Sequence, residues 1–128
     1  MRQAAIGVIV IVTLGHLVGY LTPSLRHLTD LTWPAHARFH MFQALWFLAG
    51  WDILVVVVAA GPFRRGAAWA PWLLVVYVLS VPAAYFADLF VVPDGRPQGN
   101  MDTALYSTML VLFVAGLLVG WPRKPQVK

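Results

Sequence analysis

The sequence predicts an all-α polytopic membrane protein: a compact four-transmembrane-helix bundle with both termini on the cytoplasmic side. Three observations predict it. The 128 residues are 60% hydrophobic and only 11% charged, outside the usual range for a soluble domain. Four apolar stretches, at approximately 4–21, 34–60, 71–92 and 101–121, are each long enough to cross a hydrocarbon layer about 30 Å thick as a helix. Finally, the basic residues are one-sided. Arg2, Arg64, Arg65, Arg123, Lys124 and Lys128 share one side, while Arg26, Arg38 and Arg96 fall on the other, a bias that places the first side in the cytoplasm. Residues 1–128 form a single domain on this reading.

The first stretch, after Arg2, also fits a secretory signal peptide, but no small-residue cleavage pattern follows Leu21, so it is read as the first helix. In "GHLVG", Gly15 and Gly19 are spaced as small residues that admit a neighbouring helix closely. A neighbour near His16 would supply that imidazole with a partner.

The second stretch opens in "TWPAHARFHMFQALWFLAGWD". Thr32 is placed to cap the helix, and Pro34 suits its first turn, where a missing N–H costs nothing. His36 and His40 are one turn apart and share a face, whereas Arg38 points elsewhere. The positive end of the helix dipole favours neutral imidazoles there, as a metal ligand or general base must be. The plainer reading makes them interfacial residues bonded to loop carbonyls, beside an aromatic belt that includes Trp33 and Phe39. Further in, Phe42, Trp46, Phe47 and Trp51 pack against lipid or helices, or in part line an apolar pocket. Asp52 lies about 18 Å beyond His40 along the helix. A buried carboxyl at that depth carries function or is satisfied by a partner, and Thr13, Tyr77 and Ser80 lie at similar depth.

In the third stretch, Pro82 removes the bond to the Val78 carbonyl, so a bend is expected. Asp88 follows further out. After "VVPDGRPQGN" the fourth helix starts near Asn100 with Asp102 in its first turn, where both suit capping. Gly116 and Gly120 repeat the small-residue spacing.

Asp30, Asp88, Asp94, Asp102, His27, His36 and His40 thus gather at the outer boundary, with His16 in the outer part of its helix; only Asp52 is deep, and the chain contains no Glu. Topology bias alone also places acids outside, but the concentration marks the outer half as the working half. His36 and His40, with His16, form the candidate ligand set for a divalent metal ion, and His27, Asp88 and Asp102 are further ligand candidates. The candidate catalytic set is His36, His40, Asp88, Asp102 and Asp52, with Arg38, Trp33 and Trp46 as substrate-binding residues.

Other chemistries are disfavoured. The chain has no cysteine, hence no disulfide or thiolate. It has no serine elbow and no phosphate-cradling glycine loop. Its net charge of +4 reflects orientation signals, and no nucleic-acid groove is indicated.

The segment Trp33, Pro34, His36, Ala37, Arg38, Phe39 and His40 resembles a W-P-x-H-A-[RK]-F-H pattern that opens a transmembrane helix in small four-helix membrane proteins of bacteria and fungi, broadly DoxX-like in type. The resemblance covers about a tenth of the chain. It implies the four-helix architecture and no settled activity; the expected location of the protein is a bacterial cytoplasmic membrane.

Two functions are expected to compete. One is a membrane-embedded enzyme that takes a small lipophilic substrate from membrane lipid and isomerises, cyclises or hydrolyses it at the His/Asp site. The other is a non-catalytic binding or accessory protein, or a proton-coupled transporter that would need a homo-oligomer to build a pathway.

Overall fold

The computed structural model describes residues 1–91 and 101–122, without the side chains of residues 88, 89, 101 and 102. Every element among them is helical: α1 (Arg2–Thr29), α2 (Ala35–Val58) continuing through a π turn (Ala59–Phe63), α3 (Ala70–Ser80), α4 (Pro82–Val91) and α5 (Met101–Gly120). Four segments, Arg2–Thr29, Ala35–Phe63, Ala70–Ala87 and Thr103–Gly120, are long and apolar enough to cross a membrane.

α1 runs beyond the expected end at Leu21 and passes through Pro23 to Thr29. Proline removes one i→i−4 bond, here to the Gly19 carbonyl, and the turns on either side hold the helix together. The Thr22 hydroxyl donates to the Val18 carbonyl at 3.1 Å, and the Thr29 hydroxyl to those of Leu25 and Arg26. Arg26 and His27 sit in the last turn, where positive charge suits the helix dipole.

Thr32 does not cap α2. Pro34 holds the N-cap position, and the Thr32 amide and hydroxyl donate instead to Asp30 Oδ1 at 2.9 and 2.6 Å. This Asx turn reverses the chain within five residues. An acceptor two residues upstream competes for the threonine, and a proline keeps the preceding Trp33 out of helical conformation.

The third crossing breaks where Pro82 predicts. Val81 leaves ideal helical geometry (φ −116°, ψ −72°), its N–H still bonded to the Tyr77 carbonyl at 2.9 Å, and α4 starts at Pro82.

The helices alternate in direction. α1 packs chiefly on α2 and α5, while α3 fills the position diagonal to it against α2 and α5. The core lies toward the end that holds residue 1 and residue 120: Ile6, Ile9, Val55, Phe63, Leu74, Phe113 and Leu117 are buried together. Arg2 fastens that end, with Nη2 donating to the Phe63 carbonyl at 2.6 Å and Nε to the Gly120 carbonyl at 3.2 Å. The Gly120 carbonyl ends α5, and the Phe63 carbonyl, which also accepts from the Gly66 amide at 3.0 Å, ends the π turn. The start of α1 and the end of α5 are therefore on the same side of the bundle.

The two glycine pairs differ. A Cβ on Gly116 would meet Ile9 Cγ1 at 2.9 Å, and one on Gly120 would meet the Phe63 ring at 2.8 Å. Gly15 and Gly19 have nothing within 4 Å of that position, so close packing, expected of both pairs, belongs to the second alone.

Candidate functional site

The polar interior sits directly above this core. From α1, His16 Nδ1 lies 2.8 Å from Asp52 Oδ2; from α3, the Tyr77 hydroxyl donates to Asp52 Oδ1 at 2.6 Å. All three residues are buried, with exposures of 4%, 1% and 1%. One turn before His16, Thr13 is also buried, and its hydroxyl donates to the Ile9 carbonyl at 2.8 Å. Asp52 of α2 thus joins side chains from α1 and α3.

With Asp52 as a carboxylate and His16 a neutral imidazole, Asp52 accepts from both Tyr77 and His16. The His16 proton then resides on Nδ1. Nε2, on the opposite edge of the ring, is left with a lone pair. That nitrogen is buried and has no hydrogen-bond partner among the described residues. A buried polar atom in this state is uncommon.

His16 is also part of a cavity wall. Gly19, Tyr20 and Pro23 of α1, Tyr85 of α4, and Leu105 and Tyr106 of α5 complete a half-enclosed cavity of about 230 Å³. Its polar rings are ordered: Tyr85 stacks on Tyr106 at 4.0 Å and 7°, the Tyr85 hydroxyl lies 3.0 Å from Thr103 Oγ1, and the Tyr106 ring meets His16 edge-on at 5.8 Å. The open side of Gly19 and the Pro82 break both contribute to this space. Bare backbone on α1 keeps its wall thin, and the break sets the direction of α4, which carries Tyr85.

His36 and His40 form a separate site on the exposed first turns of α2. Their Nε2 atoms are 3.0 Å apart, and His40 Nδ1 lies 3.2 Å from Gln43 Oε1. His16 joins Asp52 rather than this pair, and among the described residues no three His or Asp side chains group as metal ligands. The side chains of Asp88 and Asp102, and Asp94 altogether, lie outside the described residues.

The substrate-binding candidates are dispersed. Trp33, in the α1–α2 loop, stacks on His27 at 4.3 Å. Arg38 is half-buried near Asp30, with its Nε unpartnered. Trp46 is 68% exposed on the outer face of α2, beside Phe47 and Trp51 in a shallow apolar groove.

Sequence depth anticipated Tyr77 as a partner of Asp52. It missed the His16–Asp52 contact, although one signal was present. Counting back from the α1–α2 turn, His16 is 13 residues from Thr29 and Asp52 is 17 from Ala35, a difference of about one helical turn.

The chain matches no family model, and no curated protein or solved structure matches it significantly.

Proposed function

We propose that this protein is a membrane-embedded isomerase that admits a small lipophilic molecule from the bilayer into the α1–α4–α5 cavity and shifts a proton on it with His16. The reading rests on one observation: a buried imidazole at the cavity wall, fixed through Nδ1 by a carboxylate and unpartnered at Nε2. An oriented imidazole of this kind is suited to be a general base and then the conjugate acid. Asp52 sets its tautomer and stabilises the imidazolium that forms, and Tyr77 holds Asp52.

Among the reactions expected from the sequence, isomerisation asks least of this site. Nε2 removes a proton from the carbon between carbonyl and alkene of a β,γ-unsaturated ketone. The C–H electron pair delocalises into a dienolate, and the new Nε2–H returns the proton to the γ-carbon. No water, leaving group or second reactant is consumed. The cavity suits a molecule of this size, since a cavity of about 150 Å³ already admits benzene.

Transport through a single copy is less well supported. On the terminal side of Asp52 the packing is apolar, with Val55, Ile9, Leu74 and Phe113 fully or almost fully buried, so the polar chain ends in the core. The one-sided basic residues favour a cytoplasmic terminal end, which puts the cavity in the outer half.

Conversion of 3-cyclohexenone to its conjugated isomer, followed by ultraviolet absorbance with tag-free protein in lipid nanodiscs, tests the proposal. Wild type is expected to accelerate the reaction over protein-free nanodiscs. His16→Gln should lose about 10²–10⁴-fold of that acceleration, and Asp52→Asn should lose a smaller part. A wild type no faster than empty nanodiscs, or a His16→Gln variant as fast as wild type, overturns it.

A further inference from the structure

We infer that His36, His40 and Gln43 form a chelating site for a divalent transition-metal ion on the exposed start of α2, independent of the His16 cavity. The two Nε2 atoms converge to 3.0 Å. In the metal-free state this is one N–H···N hydrogen bond, and Gln43 decides its direction. Because Gln43 Oε1 accepts from His40 Nδ1 at 3.2 Å, the His40 proton is on Nδ1 and its Nε2 presents a lone pair. His36 then donates from Nε2. Moving the His36 proton to Nδ1 turns both lone pairs toward one point.

A carbonyl holding the far N–H of a ligating histidine is the usual support for such a ligand. The helix provides the rest. Positions i and i+4 stack on one face, and the edge-on arrangement of the rings, 89° between planes, lets both nitrogens approach a shared ion. The positive end of the helix dipole opposes a cation here, so the site depends on the convergence of the two ring nitrogens.

The spacing selects among metals. At metal–imidazole bonds of about 2.0–2.1 Å, nitrogens 3.0 Å apart subtend about 91–97° at the ion, nearer a right angle than the ~109° of a tetrahedral site. Square-planar or octahedral Cu²⁺ and Ni²⁺ fit this better than Zn²⁺. Both histidines are exposed, so the remaining coordination positions face outward and take water.

The test is a Cu²⁺ and Ni²⁺ titration of tag-free full-length protein in detergent, with electron paramagnetic resonance of the Cu²⁺ form. Wild type should show a one-to-one site with two-nitrogen hyperfine coupling and bind Cu²⁺ more tightly than Zn²⁺. His36→Ala and His40→Ala should each abolish the two-nitrogen signal, and Gln43→Leu should keep that signal with affinity weakened about tenfold, the low end for loss of a supporting partner. His27→Ala and His16→Gln should bind as wild type, and circular dichroism should show unchanged helix in all five variants. Absence of a two-nitrogen signal in wild type, or unchanged affinity in both His36→Ala and His40→Ala, overturns the inference.

Discussion

The two ends of the bundle are built differently. At the terminal end, Phe63, Phe113 and Ile9 are buried, Gly116 and Gly120 bring α5 against α1 and the π turn, and Arg2 fastens the carbonyls of two helical segments. At the other end α1 continues past its last fully buried aliphatic residue, its glycines face open space, and the cavity opens between α1, α4 and α5. The His16–Asp52–Tyr77 network lies at the boundary. Packing fixes one half, and polar contacts fix the junction where packing gives way. A rigid base below a looser cavity can hold an imidazole in place and still leave room for a ligand.

The largest effects should come from cutting the network. His16→Leu leaves Asp52 with Tyr77 as its remaining described partner and should cost about 3 kcal/mol, because breaking a buried pair leaves an uncompensated charge or forces proton uptake. Asp52→Leu should cost less, about 1–2 kcal/mol, since His16 can stay neutral and only two hydrogen bonds are lost. The double variant should cost less than the sum, with a coupling of about 1–3 kcal/mol by equilibrium unfolding in mixed detergent. Additive costs would show that the two side chains do not stabilise each other and would remove the boundary role.

The glycine pairs sharpen the contrast next. Gly116→Ala places a methyl group against Ile9 Cγ1 and the Ala5 carbonyl, at 2.9 and 3.0 Å, and overpacking of this kind costs about 1–3 kcal/mol. Gly15→Ala meets nothing within 4 Å and should stabilise α1 by about 0.5–1 kcal/mol through helix propensity. Unfolding midpoints that move in the same direction for both would contradict the difference between the ends.

Much of this contrast was out of reach of the sequence, for identifiable reasons. Hydropathy finds helices because each crossing needs its own apolar run, and Pro82 marks its break because it lacks an N–H. Depth follows from counting, which brought Tyr77 level with Asp52. Azimuth does not. Whether Gly15 and Gly19 face a neighbour depends on how α1 is rotated, and an identical spacing in α5 gives the opposite answer. His16 and Asp52 meet for the same reason: each turns toward the same interior line. The first apolar run ends at Leu21, yet at Pro23 the helix loses only one hydrogen bond and continues to Thr29. Thr32 looked like a cap, but Asp30 two residues away offered it a competing acceptor.

The smallest effect should come from the other described carboxylate. Asp30 and Asp52 each accept two hydrogen bonds, one on the surface and the other in the interior. The Thr32 hydroxyl and amide hold the Asp30 carboxyl below its ordinary value of 3.8, with smaller help from the positive fields of His27 and Arg38. A depressed folded-state value means that the charged form is favoured by folding. The contribution is therefore complete above pH 3.8 and disappears as pH falls through the lowered folded value. Because Asp30 is fully exposed, water competes for both hydrogen bonds. Asp30→Asn, which keeps an acceptor for Thr32, should leave the unfolding midpoint at neutral pH within error of wild type and flatten only the acid limb of its pH profile. A loss at neutral pH comparable to that of Asp52→Leu would mean that the α1–α2 loop anchors the open end, and the division between a packed base and a loose rim would have to be redrawn.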